Sequence, residues 1–214
     1  MVLCSAPRLV HRLLVCFFWS LIVVGPLQAQ QPLAPGTPLP SIGESLQRVD
    51  GSTVRLEDVT GSRGTVFLFW SNRCPWADKY EGRVQDLVAD FQGAGIQFVR
   101  VNANDATDWP SESLAASRAR AERRGYEVPY VRDSTAALAR ALGVTRTPHA
   151  FLFDGEGTLV YAGAIDDSPG DPEQAATAYL RDALEALIND TAPPVSTTKA
   201  FGCTLKYPED PDRQ

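Results

Sequence analysis

The sequence predicts an α/β fold with a mixed central sheet between two helical layers, a three-layer α/β/α arrangement opened by an N-terminal β-hairpin. Three observations carry this prediction. "TVFLFW" (65–70) is an unbroken apolar run, as expected of a central strand covered on both faces. Apolar residues then fall at Ala77, Tyr80, Val84, Leu87, Val88 and Phe91, in steps that mark one face of a helix closed by "GAG" (93–95). "IQFVRV" (96–101) follows as another strand, and a strand–helix–strand unit normally makes a parallel pair.

The remaining elements extend this core in both directions. "LQRVDGSTVRL" (46–56) places two alternating runs about Asp50-Gly51, a hairpin with type I′ chemistry. A second helix is expected over about 113–124, ended by Gly125, and "VPYV" (128–131) reads as a short strand. A third helix is expected over about 135–142. "HAFLF" (149–153) and "TLVYAGA" (158–164), joined by "DGEG", predict an antiparallel hairpin. The last helix is expected to start at Asp171-Pro172 and run to about Asn189, with Leu180, Ala183, Leu184, Leu187 and Ile188 facing inward.

The chain ends are read from composition. Arg8, His11 and Arg12, the apolar run "LLVCFFWSLIVVGPL" (13–27) and the small residue Ala29 describe a secretory signal peptide over 1–29; an uncleaved membrane anchor is the alternative reading. The proline-rich leader 30–40 is expected to be extended and mobile, 41–190 to form one domain, and 191–214 to be an irregular tail. Without Arg8 and Arg12 the formal charge moves from −6 to −8, which leaves no electrostatic footprint for nucleic acid or an anionic membrane.

The chemistry centres on "FWSNRCPWADKY" (69–80), where Cys74 ends an apolar strand and Pro75 starts a helix. Unpaired N–H groups and the helix dipole at that end favour a thiolate, the nucleophilic form of cysteine. Arg73 and Arg146 are expected to add positive charge nearby, and Trp70 and Trp76 to shape a groove beside the sulfur. The alternative is an inert buried thiol. Loss of Cys4 and Cys16 with the signal would leave Cys74 and Cys203 as a pair in an oxidising compartment. Cys203 has three open readings: it resolves an oxidised Cys74, it forms a stable bridge, or it is a docked free thiol. His149 reads more readily as structure than as a proton shuttle. Cys74, Cys203 and His149 have no recognisable metal-ligand spacing, and no metal or cofactor is expected.

"RCPWADKYEGR" (73–83), "TRTPHAFLFD" (145–154), "YAGAIDD" (161–167) and "TKAFGCTLK" (198–206), in this order, resemble the thioredoxin-like superfamily over about 39–207. The likeness is to its redoxin branch (alkyl hydroperoxide reductase and thiol-specific antioxidant relatives), and within it to exported peroxiredoxin-like proteins with a lone "CP" cysteine and a late "GC" motif. The resemblance implies a thiol oxidoreductase with Cys74 as nucleophile and Cys203 as its possible resolving partner. Ser71, Arg73, Pro75, Arg146, Thr147 and Pro148 would support the site, with Pro148 cis beside the sulfur and the Thr147 backbone open to an extended substrate. The implied substrates are a peroxide or a protein disulfide, and the implied electron donor an external thiol or thioredoxin-like reductant. Two departures stand out. Ala77 occupies the place of a second motif cysteine, and Phe67 and Ser71 stand where an orthodox peroxiredoxin has proline and threonine. A non-catalytic binding module that holds a partner peptide near Pro148 is the rival reading.

Overall fold

The computed structural model describes residues 31–209; the signal segment read over 1–29 lies outside them. Nine strands are present among these residues: β1 (Leu46–Arg48), β2 (Thr53–Val54), β3 (Gly64–Phe69), β4 (Ile96–Asn102), β5 (Tyr130–Arg132), β6 (Arg146–Thr147), β7 (His149–Asp154), β8 (Leu159–Gly163) and β9 (Cys203–Thr204). The four α-helices are α1 (Pro75–Phe91), α2 (Leu114–Arg124), α3 (Ala137–Leu142) and α4 (Tyr179–Ile188). One seven-stranded sheet has the order β2-β1-β5-β4-β3-β7-β8, and β6 pairs with β9 in a separate ribbon. The β3–β4 and β4–β5 pairs are parallel, while β7 and β8 run antiparallel, so the sheet is mixed as expected.

Alternation along the strands divides the core into two layers. Val66, Leu68, Ala150 and Leu152 face α1 and α4, while Phe67, Phe69, Phe151 and Phe153 face α3. Every residue of β3 is buried, because helices cover both of its faces. The helix expected over 113–124 is α2, with the Ser113 hydroxyl accepting from Ala116 N–H at its start.

Three local expectations are corrected. Asp50 does not take the positive φ that a type I′ turn needs. Gly51 N–H instead donates to Arg48 C=O, and Gly51 itself is left-handed (φ 97°), which makes a three-residue type I turn with a glycine bulge. The Asp50 carboxylate accepts from Ser52 N–H and fixes this form. The last helix does not run unbroken from Pro172. Asp171 caps only the 3₁₀ turn Pro172–Gln174; Ala176 N–H then donates to the Asp167 carboxylate and Asp167 N–H to Thr177 C=O, so the chain bends before α4 begins. The described part of the leader is docked and turns at Ala34–Thr37: Gly36 and Leu39 donate to Leu159 and Gly157, and Leu159 donates back to Thr37, along the outer edge of β8.

Candidate active site

Helix α1 begins where β3 hands the chain across the sheet end. Trp70 N–H still bonds Val101 C=O, Ser71–Arg73 form a short loop, and Cys74 is the N-cap of α1 with Pro75 in the first turn. This loop is bolted down by the buried Glu112 carboxylate. It accepts from Ser71 Oγ (2.6 Å), Asn72 N–H (2.9 Å), Arg73 N–H (3.3 Å) and Asn102 Nδ2 (2.9 Å). Arg120 adds a bond to Asn72 C=O (3.1 Å) while it pairs with Asp78 and Glu81 on α1, so α2 holds both the loop and the helix it feeds.

The Thr147–Pro148 bond is cis. Cys74, only 1% exposed, places its Sγ 3.1 Å from Thr147 C=O and 2.7 Å from the Sγ of Cys203. Cys203 arrives there because β9 pairs antiparallel with β6, setting it opposite Thr147. Gly202 makes the approach possible. Its φ is 147°, and a Cβ there would lie 2.1 Å from Thr147 O. Burial first, then the hydrogen bond and charge of Cys74, push the Cys203 pKa up to about 12. The part of that shift owed to the Cys74 charge is removed once Cys74 is oxidised, which favours the Cys203 thiolate at the moment it is needed.

The model of the AhpC/TSA family matches residues 35–162, more than half of the chain. The chain belongs to the AhpC/TSA family. This AhpC/TSA protein is accordingly a thiol-based oxidoreductase on a thioredoxin-like fold. Among solved structures, an uncharacterized conserved protein from Geobacillus kaustophilus is 33% identical, with 82% of this chain and 93% of that one covered and a TM-score of 0.76. A hypothetical protein from Sinorhizobium meliloti 1021 is 30% identical over 83% and 97% of the two chains, also at 0.76. The bacterioferritin comigratory protein of Xanthomonas campestris, whose structure concerns alkyl peroxide reduction, is 20% identical over 73% and 99% at 0.54, a likeness of fold. No curated protein matches the chain.

Within this AhpC/TSA protein the residues read from the sequence do not all converge. Cys74, Cys203, Pro75, Thr147 and Pro148 come together as expected. Trp70 is fully buried beneath Arg100 and lines no groove; Trp76 is the half-buried one, with its ring edge-on to Phe201 at 4.8 Å. The hydroxyl of Ser71 is committed to Glu112. Arg73 is exposed, and its guanidinium lies over the Trp109 ring at 4.3 Å, a cation–π contact. Arg146 bonds Thr204 Oγ1 (2.9 Å) and Gly202 C=O (3.4 Å), so it clamps the tail. His149 has no hydrogen-bond partner at either nitrogen, and burial pushes its pKa down to about 3, which favours the neutral imidazole near pH 7. The tail read as irregular is docked through β9. Sequence reasoning missed Glu112, Asn102 and Arg120. Their only signal was polar type at strand-end and helix-face positions, which solvated residues share.

Proposed function

We propose that this protein is an exported two-cysteine hydroperoxide reductase. The Cys74 thiolate attacks the O–O bond, takes one oxygen as sulfenic acid and releases an alcohol or water. The Cys203 thiol then displaces that oxygen as water and forms a Cys74–Cys203 disulfide. An external dithiol returns both sulfurs to thiols and is itself oxidised to a disulfide. The observation that carries this reading is the 2.7 Å approach of the two sulfurs. It also supports the resolving role among the three readings of Cys203. The leading segment 1–29 supports export, into a compartment where such a disulfide persists.

A disulfide-exchange reading has its own support. The loop's side chains are engaged away from the sulfur: Ser71 bonds Glu112, Asn72 bonds Ser111 and Ser117, and the Arg73 guanidinium lies over the Trp109 ring. One experiment separates the readings. Stoichiometric hydroperoxide is added to the reduced protein and the cysteines are mapped by mass spectrometry without reductant. We expect a Cys74–Cys203 bridge, and in Cys203→Ser a sulfenic acid on Cys74 trapped by a 1,3-dicarbonyl reagent. Unchanged thiols, alongside rapid oxidation by a disulfide, would transfer the assignment to exchange.

A further inference from the structure

The segment Thr198–Lys206 crosses the active-site end of the sheet as a strap anchored on both sides. On one side Thr198 N–H donates to Ala162 C=O (3.0 Å) and its hydroxyl accepts from Ala164 N–H (2.9 Å). On the other, Leu205 N–H bonds Thr145 C=O (3.1 Å) and Lys206 N–H bonds Asn104 Oδ1 (3.1 Å). Between the anchors, Cys203 and Thr204 take the edge of β6, which has no other strand partner among the described residues. An extended polypeptide could reach Cys74 along that edge only by adding a strand to it, and this requires the edge's own N–H and C=O groups to be free. Here the chain itself occupies them.

We propose that the strap is a specificity gate: it keeps extended cysteine-bearing polypeptides away from Cys74, reserves the sulfur for small oxidants, and depends on Gly202 to stay seated. The proposal rests on Cys74 being the nucleophile. A small molecule needs no strand edge; the exposed aromatic residue of the strap near Cys203 is Phe201, 47% exposed and edge-on against Trp76. A polypeptide needs the strap displaced. Any side chain at 202 would meet Thr147 O at 2.1 Å and Thr147 C at 2.7 Å, and the φ of 147° is one that L side chains rarely adopt. Substitution there should unseat β9 while the seven-stranded sheet, which β9 does not join, stays intact.

The test uses the full chain in a Cys203→Ser background, with and without Gly202→Val. One probe is the peptide Lys-Ala-Phe-Gly-Cys-Thr-Leu-Lys carried as a mixed disulfide with thionitrobenzoate; the other is cysteamine carried the same way. The Cys74 thiolate forms a bond to the probe's aliphatic sulfur and thionitrobenzoate leaves with the electron pair, so absorbance reads the rate, and mass spectrometry assigns the product to Cys74. We expect Gly202→Val to raise the peptide rate about tenfold or more relative to the cysteamine rate, since each tenfold needs only a modest change in barrier. Arg146→Ala, which loosens the strap without altering its backbone, should move the ratio the same way by less. An unchanged ratio in both variants, with Cys74 reactive, overturns the gate alone. A Cys74 inert to both probes in every variant overturns the nucleophile reading and the gate with it.

Discussion

Glu112 shows how one buried side chain can set the position of a nucleophile it does not touch. Its carboxylate satisfies two consecutive backbone N–H groups of the loop that ends at Cys74, together with Ser71 and Asn102. In Glu112→Ala these donors lose their acceptor in a site that is 3% exposed. Leaving such groups unpaired should cost about 3 kcal/mol, read as a fall in urea stability, and should slow disulfide formation because Cys74 is no longer held. His149 makes a second prediction at this scale. Its folded pKa, about 3, lies below the ordinary 6.5, so below pH 6.5 the unfolded chain binds a proton that the folded chain refuses. The stability that depends on the neutral imidazole is complete above 6.5 and is lost progressively as pH falls toward 3. His149→Phe should therefore lose less stability than the wild type over that window, by a few kcal/mol, in paired denaturation curves. Equal acid limbs in the two proteins would show that His149 is not the group responsible.

At the scale of elements, the ties between α1 and α2 decide whether the site is rigid. Arg120 on α2 reaches Asp78 and Glu81 on α1, the Tyr126 hydroxyl and the carbonyl of Asn72. Arg120→Ala would leave the buried Glu81 carboxylate with Arg100 and the Tyr126 hydroxyl but remove its tie to α2, and should destabilise the protein by about 1–3 kcal/mol in urea. Much of the element structure was legible in the sequence because its signals repeat. The helix face from Ala77 to Phe91 recurs over several turns, and β3 carries four consecutive apolar residues, Val66 to Phe69. The elements that were missed carry no repeat. β9 is two residues long, and what places it is Gly202, whose need for a missing Cβ appears only once Thr147 C=O is opposite. The late start of α4 depends on Asp167, a carboxylate that captures the chain from outside the helix. The site divides in the same way: the strand–Cys74–Pro75–helix junction is local and was readable, whereas the Glu112 clamp joins residues some 40 positions apart.

For the whole molecule, the decisive quantity is the length of chain that a Cys74–Cys203 bond would close. The two residues are 129 positions apart, and their sulfurs meet in the folded state without any rearrangement of the sheet. Closing a loop of that order removes entropy from the unfolded ensemble worth about 4.7 kcal/mol. The oxidised protein should therefore resist urea better than the reduced one by about that amount. The same free energy must appear in the redox equilibrium, since folding favours the state in which the bond exists. At about 30 mV for each 1.4 kcal/mol, the native disulfide should have a reduction potential about 100 mV below that of the same pair in the denatured chain. Such a bond forms readily once Cys74 is oxidised but is reduced poorly by weak monothiols, which favours a low-potential dithiol as electron donor. Equilibration against dithiothreitol buffers, with and without denaturant, measures both potentials. Coincident values would mean that the strap contributes nothing to holding the sulfurs together, and the resolving role of Cys203 would then need a partner beyond this chain.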